Sequence, residues 1–187
     1  MVGALRSLRA ASAESDRMVG KTSLIAAAAA TTLILTAPSS WADEEYWAAV
    51  MRELPEASVS LDQALKTSEQ EGKPISAEYD VEDGNLQISV YVERGGQYRE
   101  VIVDPRSGTI NTTKPLTVPR EVDEAQAQSA ALDRSKSPLT AALATAVDSN
   151  SGYRAVSIIP MLGDDEAVAA ITLIKGEAIK QVAQKLD

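Results

Sequence analysis

The chain has 187 residues, with 27 acidic against 18 basic side chains, a net charge of −9, and neither histidine nor cysteine. Without imidazole or thiol, His-based triads, zincin motifs, ordinary transition-metal sites, thiol catalysis and disulfides are all excluded. The negative balance repels a phosphate backbone, so nucleic acid is not an expected partner; solubility alone accounts for the charge.

Residues 1–42 read as a targeting segment. Arg6, Arg9, Arg17 and Lys21 precede the twelve-residue apolar run Leu24–Leu35, Pro38 breaks it, and Ser40-Trp41-Ala42 sets small residues at −3 and −1 of a cleavage site. This is the secretory signal pattern, with cleavage expected between Ala42 and Asp43. A spanning helix needs about 20 apolar residues, so a permanent anchor is the weaker reading. Met18 is an alternative start, since a signal peptide seldom needs a prefix such as residues 1–17. The remaining residues, 43–187, have the size of one domain. With no cysteine there is no lipid attachment through one. The expected location is the periplasm, with secretion to the medium as the alternative.

Residues 43–59 open with Asp43 as the cap of a short helix running to about Glu53. Tyr46, Trp47, Val50, Met51 and Leu54 fall on one side of it. Trp47 is expected as a lid on the core rather than as a partner anchor. Ser60-Leu61-Asp62-Gln63 is a capping box, Leu61, Ala64 and Leu65 form an apolar stripe, and Gly72 is expected to end that helix in a left-handed turn. Ile75, Ala77, Tyr79 and Val81 then alternate with Ser76, Glu78, Asp80 and Glu82, the signature of a half-buried strand. Asp83-Gly84 predicts a hairpin, Leu86 to Val92 continues the alternation, Gly95-Gly96 turns the chain, and Tyr98 to Val103 makes a third strand. One face of this antiparallel meander is expected to be helix-covered and the other wet.

Residues 111–136 read as a linker and a spacer. Pro115 and Pro119 limit regular structure in Asn111–Arg120, and Glu121–Arg134 is alanine- and charge-rich, predicting a solvated helix of low amphipathicity. Residues 137–187 look like the first unit again. Ser137 suits a cap, Pro138 a first helical position, and Leu139, Ala142, Leu143, Ala146 and Val147 a helical stripe. Gly152 matches Gly72, and strands Arg154–Met161 and Ala167–Ile174 flank a turn at Gly163-Asp164-Asp165. Leu61, Ala64 and Leu65 align with Leu139, Ala142 and Leu143, while Val90, Val92 and Gly95 align with Ile171, Leu173 and Gly176. Residues 178–186 suit a helix by periodicity and a strand by the repeat; we take the strand. Neither half buries its sheet alone, so one shared core is expected. The fold class is therefore α+β, with antiparallel β-meanders each packed by a helix.

The segment Val101-Ile102-Val103-Asp104-Pro105-Arg106-Ser107-Gly108-Thr109-Ile110 closes the first unit. Alternating valines, an aspartate able to fold back on turn amides, then Ser-Gly and an aliphatic are similar to the closing signature of the PepSY domain family. With the Ser60 helix and the Tyr79–Val92 hairpin, residues 60–110 resemble that family. Residues 137–187 resemble it less, as a degenerate or truncated second copy. The resemblance implies an exported module without enzymatic activity, of a kind found in metallopeptidase propeptides and proposed to inhibit peptidases. It carries no catalytic residues.

The residues themselves disclose no activity. No phosphate-binding glycine loop or S-x-x-K spacing is present, so no nucleotide, cofactor or Ser-Lys hydrolase is expected. The acidic clusters Asp80/Glu82/Asp83 and Asp164/Asp165/Glu166 lack the spacing that wraps calcium and read as solvated turns. Tyr46, Trp47, Tyr91 and Tyr153 are contact candidates if exposed. The leading expectation is a non-catalytic module that binds a protein or peptide, a secreted peptidase among the candidates, on an exposed sheet edge. The alternative is a structural or stress-related envelope protein acting as an oligomer. An enzyme working through carboxylates alone ranks last and needs a cleft with two facing carboxylates.

Overall fold

The computed structural model describes residues 41–163 and 166–187, with side chains from residue 45 onward. Residues 1–40 of the expected leader lie outside the described residues, as do the side chains at the Ala42–Asp43 junction and the turn at Asp164-Asp165.

Helix α1 (Trp41–Glu53) runs into a short 3-10 turn at Leu54–Glu56. Asp43 lies inside this helix and is not its cap. Helix α2 (Leu61–Ser68) begins at Ser60 with the predicted capping box: the Gln63 amide donates to Ser60 Oγ at 3.2 Å, and the Ser60 amide donates to Gln63 Oε1 at 2.8 Å. Truncating the serine leaves the Gln63 amide without its acceptor. Ser60→Ala is expected to lower stability by about 1 kcal/mol in urea denaturation.

Strands β1 (Lys73–Glu82), β2 (Asn85–Arg94), β3 (Gln97–Val103) and β4 (Ile110–Pro115) follow. Helix α3 (Pro119–Asp133) and helix α4 (Leu139–Asp148) lead to β5 (Arg154–Gly163), β6 (Glu166–Lys175) and β7 (Ala178–Lys185). The seven strands form one antiparallel sheet in the order β4-β3-β2-β1-β5-β6-β7. Residues 178–185 are thus a strand.

Both hairpin turns predicted in the first half are present, and each needs two left-handed residues. Asp83 and Gly84 have φ of 51° and 77°, Gly95 and Gly96 of 63° and 78°. Gly72 does not act as predicted: it has no positive φ. A Cβ there would stand 2.6 Å from the Glu93 carbonyl oxygen, so glycine serves the close approach of β2. Gly152, aligned with it, does take the left-handed conformation, at φ 81°. Ser137 is not the cap of α4. The helix starts at Leu139 with Pro138 in the capping position, and Ser137 Oγ donates to the Asp187 carbonyl.

The pairing of β1 with β2 from Pro74↔Val92 to Glu82↔Asn85 recurs 81 residues later, from Ala155↔Leu173 to Gly163↔Glu166. Each pairing carries a bulge at the same place, Pro74/Ser76 and Ala155/Ser157. The β2–β3 pairs Val90↔Val101 and Arg94↔Gln97 recur likewise as Ile171↔Val182 and Lys175↔Ala178. The two meanders join through their first strands, where Ala77 faces Ile158, its own counterpart. A local two-fold axis therefore passes between these two residues, perpendicular to the sheet. That operation keeps both faces in place, which puts α2 and α4 side by side on the same face.

One hydrophobic cluster fills the space beneath α1, α2 and α4. It runs from Trp47, Val50, Leu61 and Leu65 through Tyr79, Val90 and Val101 to Leu143, Ile158, Ile171, Leu173 and Val182. A core this continuous makes the two halves one cooperative unit.

Two expectations about the middle of the chain fail together. Residues 110–115 are not linker but strand β4, paired with β3 from Val103↔Ile110 to Arg99↔Pro115. Residues 119–133 are not a solvated spacer: α3 packs on β1, β3, β5 and β6 and covers the face expected to be wet. It buries Ala125, Gln128, Ser129 and Ala131 against a sheet face whose buried members include Ser76, Ser89, Ser157 and Thr172. Ser76 Oγ donates to Gln128 Oε1 at 2.8 Å across this interface. The helix brings small and hydrogen-bonding side chains to this interface, so it carries no apolar stripe to read. The architecture is α+β in three layers, helix over sheet over helix.

Candidate functional site

The turn after β3 folds as its sequence suggests. Asp104 Oδ1 accepts from the Arg106 amide at 3.0 Å, the Ser107 amide at 2.7 Å and Ser107 Oγ at 2.9 Å. These bonds, the Ser107 amide and hydroxyl foremost, hold the Asp104 carboxyl below its ordinary range. Gly108 has φ 75°. The turn buttresses the entry to α2, since the Ser58 and Val59 amides both donate to the Pro105 carbonyl at 3.0 Å. Its polar groups are spent on its own turn and on that segment, which makes it a structural element.

The chemically loaded region is a cleft of about 510 Å³ at the β1–β4 end of the sheet, on the face that α3 covers. Strand β1 supplies Glu78, Asp80 and Glu82; β2 supplies Gln87, Ser89 and Tyr91; β3 supplies Glu100. The chain leaving β4 brings Lys114 to Thr117, and α3 brings Arg120 and Glu121. Period-2 alternation puts Glu78, Asp80 and Glu82 on one face, and the register sets Tyr91 opposite Glu100.

Most of these acids have partners. Ser89 Oγ donates to Glu100 Oε1 at 2.7 Å, the Val81 amide to Asp80 Oδ1 at 2.7 Å, and Gln87 Nε2 to Glu82 Oε2 at 3.3 Å. Lys114 Nζ lies 3.6 Å from Glu100 Oε2. Glu78 sits deepest. Burial, reinforced by Asp80, Glu100 and Glu124, raises its carboxyl to about 8, so it holds its proton at neutral pH. Burial also raises Asp80 and the hydroxyls of Tyr46 and Tyr91. The cleft can therefore present one neutral carboxyl donor beside several carboxylate acceptors. Among the described residues no group of three or more acidic side chains has the geometry to hold a metal ion.

Sequence reasoning placed Asp80, Glu82 and Asp83 at a solvated turn. Asp83 is exposed at the turn, while Asp80 and Glu82 line the cleft. It missed Glu78 and Glu100 because both alternate onto a face taken to be wet. Only the β3 register and the position of α3 bring them together.

The aromatic candidates separate. Trp47 is 8 % exposed, within the core, with the Tyr46 ring edge-on at 4.9 Å. Tyr46 is half-buried and donates to the Tyr79 carbonyl at 2.7 Å. Tyr91 is half-buried in the acidic cleft. Tyr153 lies under Lys175 Nζ, 5.7 Å from its ring centre, beside a small apolar cleft between α2 and α4. None stands free as an exposed anchor.

The sheet has two edges, β4 and β7. On β4 the side chains are mostly exposed and the strand ends in Pro115. On β7, Val182 is buried, Lys180 and Gln181 are half-buried and Ile179 is 42 % exposed. The pairing symmetry makes β7 the counterpart of β3. Strand β3 is covered on its outer side by β4, and among the described residues no strand covers β7. No described helix is long and apolar enough to cross a membrane.

Comparison with protein-family models, with curated proteins and with solved structures finds no match to this chain.

Proposed function

We propose that the chain is an exported, non-catalytic, PepSY-like module of the periplasm that binds an extended segment of a protein partner and regulates or inhibits it, a secreted peptidase being the leading candidate. The observation that carries this reading is the outer edge of β7, on which no strand lies among the described residues, while its counterpart β3 takes one. A sheet edge binds through backbone hydrogen bonds and needs no catalytic group, which agrees with a chain lacking histidine and cysteine. The two-fold recurrence of a helix followed by three strands supports reading residues 60–110 and 137–187 as two PepSY-like units on one core.

The test is affinity capture from periplasmic extract with the purified chain as bait. Recovery of a specific protein, and slower turnover by a recovered peptidase when the chain is added, is the expected result. Capture of nothing specific, with an extract whose proteolysis the chain leaves unchanged, would overturn the proposal.

A further inference from the structure

We propose that the outer edge of β7 seats an incoming extended segment antiparallel to it, in the register that β4 adopts on β3, and that this segment carries an acidic side chain opposite Lys180. This rests on the partner-binding reading and gives it an address and a chemistry.

The register follows from the pairing symmetry. Strand β4 meets β3 as Arg99↔Pro115, Glu100↔Lys114, Val101↔Thr113, Ile102↔Thr112 and Val103↔Ile110. Shifted by 81 residues, the β3 partners become Lys180, Gln181, Val182, Ala183 and Gln184. The β7 backbone already holds the β3 pairing on its inner side, so an added strand meets a preformed template at little ordering cost.

The side chains around that template set the selectivity. On β3 the charged acceptor is Glu100, and β4 answers it with Lys114 at 3.6 Å. On β7 the equivalent residue is the neutral Gln181, so a cation there gains nothing. A cation is kept at Lys180, the counterpart of Arg99, which on β3 faces Pro115. Its Nζ donates to the neutral Asn150 Oδ1 at 2.5 Å and has no carboxylate partner among the described residues. Lys185, by contrast, is already paired with Glu166 at 2.5 Å. A half-buried ammonium facing only an amide is the place where a partner's carboxylate adds attraction and orientation. Across Val182 the template calls for a small β-branched residue, as Thr113 stands across Val101. Across Ala183 there is space for a larger side chain than Thr112, because β3 carries Ile102 at that position.

The probe is a capped peptide with the sequence of residues 108–116 carrying Pro115→Glu, which sets the acid opposite Lys180. Its control carries Pro115→Lys instead. Each is titrated into the whole chain by NMR, with amide exchange followed over residues 178–185. The expected result is chemical-shift change confined to β7 and its flanks, with edge amides exchanging about tenfold more slowly at saturation. The control should bind about fivefold more weakly at low salt, a preference that Lys180→Gln abolishes while leaving the fold intact. Shifts centred on β4 or on the acidic cleft, equal binding of both peptides, or no binding would overturn the proposal. So would a stable dimer through β7 in light scattering without peptide. A partner captured from extract that still binds when the peptide is in excess would remove the β7 seat and leave the partner-binding reading standing. Absence of both binding events would remove both.

Discussion

Replacing Arg154 by methionine is expected to destabilise the chain by about 3 kcal/mol or more, the largest effect of any single substitution outside the apolar core. The guanidinium lies between the two halves of the molecule. Nη1 donates to the Leu54 carbonyl at 3.2 Å and the Ala57 carbonyl at 2.7 Å, and Nη2 donates to the Val59 carbonyl at 2.9 Å. Nη2 also donates to the Tyr79 hydroxyl, and the group lies 5.0 Å from the centre of the Tyr79 ring. The Tyr79 hydroxyl in turn donates to the Val59 carbonyl. One residue of β5 thus gathers the carbonyls of residues 54–59, a stretch with no strand partner of its own, and fixes them over β1.

Methionine keeps much of the stem volume and removes every donor. The Ala57 carbonyl then loses its donor, at a cost of about 1 to 3 kcal/mol, while the Leu54 and Val59 carbonyls keep the Ala57 amide and the Tyr79 hydroxyl. The lost bonds to the Leu54 and Val59 carbonyls and to the Tyr79 hydroxyl add to that penalty, and relief from burying the charge offsets part of the sum. Tyr79→Phe removes the hydroxyl that both donates and accepts here and is expected to cost about 1 to 2 kcal/mol. Because the two side chains share partners, the double variant should cost less than the two single changes added. Urea denaturation of the four proteins measures this directly. A methionine variant within 1 kcal/mol of the parent would mean that water replaces the guanidinium freely and that residues 54–59 do not need it.

The segment Arg154 holds shows what could be read ahead of the structure. The capping box at Ser60, the turns at Asp83-Gly84 and Gly95-Gly96, and the alternation of β1 and β2 are local, and local chemistry writes itself into sequence. Strand β7 was ambiguous by periodicity, and the repeat resolved it, because the same strand stands in the same place in the other half. Strand β4 left no such mark. Asn111-Thr112-Thr113-Lys114 is polar on both faces because an edge strand has little to bury. Helix α3 was hidden for a related reason. Its buried stripe is Ala125, Gln128, Ser129 and Ala131, small or hydrogen-bonding side chains, and Gln128 meets the sheet through Ser76. Hydrophobic pattern cannot report an interface built that way. The cleft was invisible because its acids come from β1, β3 and α3, and their meeting depends on strand order. The two-fold relation adds an internal comparison. Glu78, Asp80 and Glu100 correspond to Ile159, Met161 and Gln181 in the second half. The fold therefore builds the same face without acids, so the acidic cluster is not a requirement of the sheet.

That comparison leads to the second large effect, on stability against pH. Folding raises the Glu78 carboxyl from its ordinary 4.5 to about 8. The groups responsible surround it on every side: burial first, then Asp80 on its own strand, Glu100 from β3 and Glu124 from α3. Lys114, Arg120 and Glu121 line the same cleft. Between these two values the folded state holds a proton that the unfolded state has released. Stability must then fall as pH rises through the window, by about 1.4 kcal/mol per unit at the steepest. Asp80, also raised by burial, acts in the same direction. Asp104 acts oppositely, since its lowered carboxyl gives stability that is lost only in acid, as pH falls through its folded value. Glu78→Gln keeps the shape and the neutral amide while removing the titration. The variant is expected to match the parent near pH 5, to exceed it by about 3 kcal/mol near pH 8, and to flatten the slope between. Urea midpoints from pH 4.5 to 8.5 give the answer. A variant that declines with the parent across that range would place the Glu78 carboxyl in open water. α3 would then cover no buried acid, and the acidic end of the sheet would be an ordinary solvated face.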